Sequence, residues 1–291
     1  MGKVGNFFGD LKILLSAARL KSPPDESLDC MAKLVEVQAR VRPEAPALLC
    51  EGEQVSWSEL NNRANVIANN LVSRGITQGE CVSLFMQNRI DFVVCLLGIN
   101  KSGATAGLIN TNLTKQPLTH CINLIDSQKC IFGSELTETL NDVKDQLEMN
   151  DGEDFLMVAD GENIELPNWA INLNPEDASG DTENLPVTED IKTGSTAFYI
   201  FTSGTTGLPK AAIVSNKRAI SGSQMAGVSL LRIDQNDRMY NCLPLYHGTG
   251  LIMGLLAAFH VGASTVIRRR LSISAFWEDI RKNNCTSFIY I

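Results

Sequence analysis

The part of the sequence best suited to chemistry is a short run of hydroxyl residues and glycines that ends at a lysine. It reads Y-I-F-T-S-G-T-T-G-L-P-K over residues 199–210. Its small residues are Thr202, Ser203, Gly204, Thr205, Thr206 and Gly207. Consecutive small residues let successive backbone N–H groups face one point as an anion-binding nest, and Lys210 adds a cation at the rim. Apolar runs at 197–201 and 211–214 indicate short buried strands. The run therefore predicts a strand–loop–strand connection that binds a polyphosphate.

Two other phosphate-binding motifs do not fit this sequence. A Walker A loop needs G-x-x-x-x-G-K-[ST] between a strand and a helix. Here the loop glycines are three apart, Pro209 precedes the lysine and Ala211 follows it. The segment 248–254 misses G-x-G-x-x-G by one position. A flexible surface turn is the remaining alternative, since Gly, Ser and Thr dominate loops, but the lysine and the framing strands favour a phosphate site.

A second candidate site follows a predicted strand at 239–243. The segment Leu243-Pro-Leu-Tyr-His247 places a histidine just past the strand end, where ligands bind in open α/β sheets. The following glycines let a substrate approach the backbone closely. A neutral imidazole could donate to a substrate carboxylate and orient it for attack on a phosphate. We predict a substrate site formed by Tyr246, His247, Gly248 and Gly250, with His247 as a catalytic candidate. A histidine satisfied by the backbone of a turn is the alternative.

Several separated segments resemble one known family. T-S-G-T-T-G-L-P-K resembles the phosphate-binding signature of the adenylate-forming (AMP-binding) superfamily, which includes acyl-CoA synthetases, luciferases and peptide-synthetase adenylation domains. Further segments are similar to its fatty acid transport protein / very-long-chain acyl-CoA synthetase branch. They are A-G-L-I-N-T-N-L at 106–113, L-T-H-C at 118–121, P-K-A-A at 209–212, L-P-L-Y-H at 243–247 and T-V-I-R-R at 265–269, which leads to Phe276-Trp277. The resemblance runs from about Leu28 to the last residue.

The resemblance implies an ATP-dependent ligase for long- or very-long-chain fatty acids. A fatty acid would attack the α-phosphorus of ATP with release of pyrophosphate, and the thiol of CoA would then displace AMP. Tyr199 and residues 202–207 would form the nucleotide site with Lys210, which would also have a catalytic role by neutralising charge. Mg²⁺ would bridge the phosphates. His247 would lie where the acyl and nucleotide sites meet, and the apolar run 251–259 is a candidate wall for the acyl chain.

Other motifs of the family do not occur in the 291 residues. They are the Mg²⁺-binding glutamate of Y-G-x-T-E, a ribose-binding aspartate and the catalytic lysine of a C-terminal domain. The sequence ends at 285–291 in β-branched and aromatic residues that indicate a core strand. We therefore expect an N-terminal fragment without the C-terminal domain, inactive as a synthetase by itself.

Two other function classes stay open. A fatty-acid uptake or membrane-docking protein without catalysis would keep the pocket but tolerate decay of the loop, which is intact here. An adenylating ligase for an aryl or amino acid would share the loop and lack Ile109-Asn-Thr-Asn112.

Composition excludes some classes of protein. Lys plus Arg total 25 against 33 acidic residues, a formal net charge of −8, which argues against a nucleic-acid partner because such proteins present a basic field. Eight cysteines include no C-x-x-C pair, so reduced, buried thiols are expected. Their spacing is also too wide for a zinc site, and we predict no metal-ligating residues.

The N-terminal segment 1–24 has its own character. Phe7, Phe8, Leu11, Leu14 and Leu15 fall on one helical face, and four basic residues lie between positions 3 and 21. This pattern is typical of a helix in a membrane interface, which predicts peripheral contact on the cytoplasmic side through residues 3–21. A helix packed on the domain is the alternative. Pro23-Pro24 ends the segment.

From 28 to 291 the pattern alternates between strands and helices. Strands are expected at 81–86, 105–110, 129–132, 154–159 and 264–268, with a capping box at Ser56-Trp-Ser-Glu59 opening a helix. An acidic connection at about 145–191 has fourteen Asp or Glu and no Lys or Arg; it is expected to link two lobes. This alternation predicts the α/β class, with largely parallel sheets flanked by helices. The resemblance implies that the fold is the lobed N-terminal domain of the acyl-CoA synthetase type, without the C-terminal domain.

Four further positions carry weaker expectations. His120 is expected to pack or cap rather than catalyse, and His260 to lie near a helix C-terminus. Arg268-Arg-Arg270 could contact phosphate or lipid, but a solvated strand end is the preferred interpretation. Asn216 is expected to cap a helix.

Overall fold

The computed structural model describes residues 20–176, 180–202 and 207–290. Within them, strands and helices alternate along the chain. The strands are β1 (Pro46–Cys50), β2 (Glu53–Ser56), β3 (Cys81–Phe85), β4 (Thr105–Leu108), β5 (Ser127–Gly133), β6 (Phe155–Val158), β7 (Ile171–Asn172), β8 (Thr196–Thr202), β9 (Lys210–Ser215), β10 (Arg238–Asn241), β11 (Ser264–Ile267) and β12 (Ser287–Phe288).

The helices are α1 (Lys33–Val41), α2 (Trp57–Ser73), α3 (Ile90–Lys101), α4 (Lys115–Leu124), α5 (Thr137–Asn141), α6 (Pro186–Glu189), α7 (Asn216–Gln224), α8 (Ala257–Val261) and α9 (Phe276–Lys282). Two 3₁₀ turns cover Ser134–Leu136 and Lys144–Gln146. A π-helical segment, Met225–Leu231, continues α7, and another, Thr249–Leu256, leads into α8. No helix within the described ranges is long and apolar enough to cross a membrane. The amphipathic segment predicted at 3–21 lies outside those ranges except for its last two residues.

The larger sheet has seven strands in the order β7-β6-β5-β3-β4-β8-β9. Neighbouring strands are parallel except for the β8–β9 hairpin. β3 is buried at all five positions, because a strand covered on both faces needs a near-continuous apolar run. The strands predicted at 81–86, 105–110, 129–132 and 154–159 are confirmed as β3 to β6.

The smaller sheet has five strands in the order β12-β10-β11-β1-β2, parallel except for the β1–β2 hairpin. The strands predicted at 239–243 and 264–268 are confirmed as β10 and β11. The predicted core strand at 285–291 is instead the short edge strand β12, beside which Tyr290 is exposed. Local β-propensity cannot distinguish an edge strand from a central one.

One hydrophobic core joins the two sheets through α2 and α3. Every residue of α3 is buried except Asp91, as expected for a helix that is apolar on all sides. The N-terminus of α2 confirms the predicted cap, because Ser56 Oγ accepts a hydrogen bond from Glu59 N at 3.2 Å. Gly75 follows α2 with φ +86°, a conformation that favours glycine.

The acidic stretch 145–191 contributes β6, β7 and α6 to the fold. Near its end, Asn184 Oδ1 accepts hydrogen bonds from Asn61 and Asn65 of α2, each at 3.0 Å, and from the buried Lys101 Nζ at 3.1 Å. The division of the chain at 1–24 and 28–291 stays a prediction.

All eight cysteines are free thiols, and seven are buried. Burial raises the pKa of Cys30 to about 11 and that of Cys81 to about 12. Since the thiolate is the reactive form, these residues act as small core side chains, as the sequence predicted.

Candidate functional site

The predicted phosphate loop joins β8 to β9. The two strands are antiparallel, and Thr202, the last residue of β8, pairs with Lys210, the first of β9. This confirms the strand–loop–strand connection. Ser203, Gly204, Thr205 and Thr206 lie outside the described residues. Gly207 resumes the chain with φ +94°, where a side chain would be strained. Thr202 and Lys210 are both exposed, so hydroxyl and ammonium groups are available to a ligand at the carboxyl end of β8.

The prediction that both flanking strands are buried is wrong for β9. This strand lies at the edge of the sheet, and Ile213 is 56% exposed. Its apolar run resembles that of a central strand, but its position is fixed by chain topology, since only β8 pairs with it among the described strands.

Tyr199 lies on the face of β8 that turns away from the shared core. Phe198 and Ile200 belong to that core, whereas Phe201 packs against a second cluster on the opposite side. Because side chains alternate along a strand, Tyr199 shares the face of Phe201. Burial raises the pKa of the Tyr199 phenol, and its ring lines a cavity of about 470 Å³ between α4 and the hairpin.

The turn 243–250 brings two signature segments together. Asn112 Nδ2 donates to the Tyr246 hydroxyl at 3.2 Å, and Asn112 N is itself held by Asn110 Oδ1 at 2.9 Å. Residues of the 106–113 segment therefore touch residues of the 243–247 segment, although more than a hundred positions separate them in sequence. Burial raises the pKa of Tyr246, while hydrogen bonds to Thr111 and Asn112 oppose that rise.

His247 lies two residues before the π-helical segment Thr249–Leu256. Its backbone N donates to Pro244 O at 3.1 Å, and its carbonyl accepts from Leu251 N at 3.0 Å. The residue is exposed, so its imidazole is open to a ligand. Next to it, a Cβ on Gly248 would lie 3.4 Å from Ile200 Cδ1 of β8. The candidate substrate residues thus lie directly beside the strand that leads into the phosphate loop.

Gly250 is buried and shapes the turn. Any Cβ at this position would overlap the carbonyl oxygen of Pro244. Asn241 Nδ2 donates to Gly250 O at 2.8 Å, and Asn241 Oδ1 accepts from Leu243 N at 3.2 Å. Asn241, the last residue of β10, therefore bonds to the backbone at both ends of the turn.

Asn88 is a site-forming residue that the sequence analysis missed. It follows β3 and is 4% exposed. Its amide donates to Leu243 O at 2.9 Å and Arg268 O at 3.1 Å, and accepts from Leu245 N at 2.9 Å. One side chain thus ties the larger sheet to two loops of the smaller sheet. A polar residue just past a buried strand end was the available signal.

His120 and His260 have structural contacts. His120 Nε2 lies 3.0 Å from Pro209 O, at the end of the phosphate loop. His260 lies in the last turn of α8, as predicted, with Nδ1 3.5 Å from Ser223 Oγ. Burial lowers the pKa of His260 below its usual value.

The arginine run after β11 forms ion pairs. Arg268 Nε binds Asp279 at 2.8 Å, and Arg269 Nη2 binds Asp160 at 2.7 Å. The Arg269 hydrogen bond, more than the charge of Arg89, holds the pKa of Asp160 below its usual range. The preferred interpretation, a solvated strand end, is therefore wrong for Arg268 and Arg269, which bind β11 to its neighbours, and agrees with the exposure of Arg270.

The predicted cap at Asn216 is wrong. Ser215 is the N-cap of α7, and its Oγ accepts from Arg218 N at 3.3 Å. Asn216 is fully buried and its Oδ1 accepts a hydrogen bond from Met31 N at 3.0 Å, because the buried residues Cys30–Ala32 pass over this position. Asn216 therefore links residues 30–32 to α7.

Across the described ranges, no three His, Cys, Asp or Glu side chains are grouped to hold a metal ion.

Comparison with known proteins gives a consistent result. The long-chain fatty acid transport protein 1 of Rattus norvegicus is 34% identical over 277 residues, which cover 90% of this chain and 41% of that protein. A medium/long-chain fatty-acid–CoA ligase of Mycobacterium tuberculosis is 32% identical over 239 residues, covering 82% of this chain and 38% of that protein. The chain thus spans about two fifths of the length of these curated relatives.

Solved structures agree on the fold. An anthranilate CoA ligase in complex with anthranoyl-AMP superposes with a TM-score of 0.78 at 23% identity, covering 94% of this chain and 50% of that one. A Mycobacterium tuberculosis fatty acyl CoA synthetase gives a TM-score of 0.74 at 18% identity, covering 91% and 49%. The α/β fold with largely parallel sheets is confirmed. The family model described as AMP-binding enzyme matches residues 35–291, and the chain therefore belongs to the AMP-binding enzyme family.

Proposed function

We propose that this chain is the nucleotide-binding part of a ligase that activates long- or very-long-chain fatty acids with ATP and transfers them to CoA. The observation that carries the proposal is the adjacency of two surfaces. The phosphate-loop hairpin ends at Thr202 and Lys210, and the turn bearing His247 meets the same strand through Gly248 and Ile200. A polyphosphate and a carboxylate could therefore bind side by side.

On the nucleotide side, the residues proposed to bind are Tyr199, Thr202, Ser203, Gly204, Thr205, Thr206, Gly207 and Lys210. The backbone and hydroxyl groups of the loop would hold the β- and γ-phosphates, and Lys210 would neutralise charge on the departing pyrophosphate. Such preorganised charge is the main aid an enzyme gives to phosphoryl chemistry. The exposure of Lys210 supports this role.

On the acid side, Tyr246, His247, Gly248 and Gly250 are proposed to shape the substrate site. The His247 imidazole would orient the carboxylate toward the α-phosphorus. Gly250 would act by shaping the turn, since its backbone is buried against Pro244. The apolar segment Thr249–Leu256 supports an apolar acid, because Ile252 and Met253 are only partly buried there.

Mg²⁺ would arrive bound to the phosphates of ATP, as that ion commonly does. Nothing within the described residues offers it a ready cage of three His, Cys, Asp or Glu side chains, so we assign no protein ligand to it. CoA is proposed as the second substrate. By itself the 291-residue chain is expected to bind nucleotide without completing turnover, since the glutamate, aspartate and lysine motifs that the resemblance implies do not occur in it.

Residues 3–21 are proposed to make reversible contact with an anionic membrane on the cytoplasmic side, through apolar burial and basic side chains. Sedimentation with anionic liposomes, with and without the first 24 residues, tests this. Equal partitioning of the two forms would contradict it. We propose no nucleic-acid partner.

A non-catalytic role in fatty-acid uptake is the second candidate, favoured by the name of the transport-protein relative. Preservation of the complete phosphate loop supports catalysis instead, because uptake alone places no demand on it.

ATP–pyrophosphate exchange with saturating oleate, by a protein that joins this chain to the remaining part of one of its longer relatives, tests the main proposal. Lys210→Ala should lower the exchange rate about ten- to a thousandfold, the scale for losing one group that meets transition-state charge. Lys217→Ala is the matched control, because that lysine lies just beyond β9 and pairs with Asp25 at 2.9 Å. Undiminished exchange in Lys210→Ala would remove the loop from the mechanism. ATP–pyrophosphate exchange with anthranilate or an amino acid, but not with oleate, would show that the substrate is not a fatty acid.

A further inference from the structure

His120 connects a helix on one face of the larger sheet to the phosphate loop. Its Nε2 lies 3.0 Å from the carbonyl oxygen of Pro209, the residue immediately before Lys210. A carbonyl can only accept a hydrogen bond, so Nε2 must carry the proton and His120 is the donor.

The helix that carries His120 is firmly seated. Leu118, Cys121 and Ile122 of α4 are buried in the second hydrophobic cluster together with Phe132 of β5. A side chain is positioned most precisely when its own element is locked by packing. His120 therefore extends from a fixed support to the base of the hairpin, where Gly207 has φ +94° and β9 lies at the sheet edge.

Packing between α4 and the hairpin is incomplete. A cavity of about 470 Å³ separates them, lined by His120, Leu124, Tyr199, Leu208, Pro209 and Ile213 among others. The cavity opens to solvent, and Leu208 and Pro209 are only partly buried beside it. The His120 hydrogen bond crosses this gap.

We propose that His120 is a positioning residue that holds Pro209, and through it Lys210, in place for the nucleotide phosphates. The inference rests on the proposed ATP-binding function. His120 itself touches no reacting atom; it limits the movement of the loop end that carries the cation. Without it, Lys210 would still be present but would reach the phosphates in a smaller fraction of loop conformations.

The test uses three variants of the whole chain. His120→Leu removes the hydrogen-bond donor and puts an apolar side chain in its place. His120→Gln keeps an N–H donor near the position of Nε2. Gln116→Leu is the matched control, since Gln116 is an exposed residue on the same helix. Two quantities are measured: the dissociation constant for ATP by calorimetry, and amide hydrogen exchange at residues 207–215 compared with β3.

His120→Leu should weaken ATP binding about two- to tenfold, the scale of one net hydrogen bond. In the same variant, amide hydrogen exchange should be faster at residues 207–215 by a similar factor and unchanged in β3. His120→Gln should restore both quantities, and Gln116→Leu should match the wild type. Wild-type ATP affinity together with unchanged hairpin exchange in His120→Leu would overturn the proposal. Faster exchange throughout the chain, β3 included, would also overturn it, because that pattern means a general packing role.

The two proposals can fail separately. If the wild-type chain shows no affinity for ATP, the proposed function fails for this chain. The amide hydrogen-exchange measurements alone then decide whether His120 holds the end of the hairpin. Faster amide exchange in His120→Leu that is confined to residues 207–215 and is reversed in His120→Gln supports the positioning role of His120. Unchanged exchange at those residues refutes it.

Discussion

The phosphate-loop hairpin and the turn 243–250 are neighbours that are held in different ways. The turn is fixed by two buried asparagines, Asn88 and Asn241, whose amides make five hydrogen bonds to backbone atoms. The hairpin lies at a sheet edge with Thr202 and Lys210 exposed, beside a cavity. One wall of the candidate site is therefore rigid and the other is open to adjustment.

This difference has a physical consequence for function. A turn held by the side chains of buried asparagines keeps a fixed geometry, which suits the orientation of a carboxylate. The exposed end of a hairpin, next to an edge strand, belongs to the less stable parts of a fold, as binding loops usually do. Substitutions in the turn should thus cost stability, whereas substitutions in the hairpin should affect binding with little change in stability. Four measurements test this difference between the turn and the hairpin.

Asn88→Leu should have the largest effect on stability. The leucine is similar in size but leaves Leu243 O, Arg268 O and Leu245 N without the partner they have now, in a buried place. We expect a loss of about 3 kcal/mol in the free energy of unfolding, measured by urea denaturation. Asn62→Leu, at an exposed position of α2, is the control and should change it by less than about 0.5 kcal/mol. Equal midpoints for the two variants would show that Asn88 does not fix the turn.

Gly250→Ala should come next, at about 2 kcal/mol, because its new methyl group overlaps the Pro244 carbonyl and the backbone must shift. Gly248→Ala is the comparison within the same turn, since its methyl would make an ordinary contact with Ile200. Thermal unfolding followed by circular dichroism measures both. A larger loss for Gly248→Ala would show that the close approach of Gly250 to Pro244 does not fix the turn.

His260 should make the helix after the turn sensitive to acid. Burial lowers its pKa in the folded chain, against the opposing charge of Asp29, so the unfolded chain takes up the proton first as pH falls through about 6.5. Stability should therefore decline below that pH, with a slope of at most about 1.4 kcal/mol per pH unit for one proton. His260→Gln should remove this part of the slope in urea titrations between pH 5 and 7.5. Superimposable pH profiles for the two proteins would contradict the assignment.

Lys210→Ala should have the smallest effect on stability, less than about 0.5 kcal/mol, because the side chain is exposed at the start of an edge strand. The same variant is expected to lose much of its nucleotide chemistry, so the two readouts should separate. A loss of stability as large as that of Gly250→Ala would show that the hairpin is as tightly integrated as the turn.

The local features of this protein could be predicted from the sequence alone. The apolar run of β3, the all-round apolar character of α3 and the cap at Ser56 were predictable, because they depend on residues within a few positions of one another. The phosphate loop was recognisable for the same reason, since its small residues and its lysine lie within twelve consecutive positions.

The contacts between residues far apart in sequence became visible in the folded chain. The fold made these contacts. It made β9 an edge strand, placed Asn112 against Tyr246, brought His120 to Pro209 and set Asn88 between the two sheets. These contacts depend on the order in which strands pair, and a strand's own residues do not specify that order. A buried asparagine shows its role only when the backbone groups that it satisfies, far away along the chain, have been brought beside it.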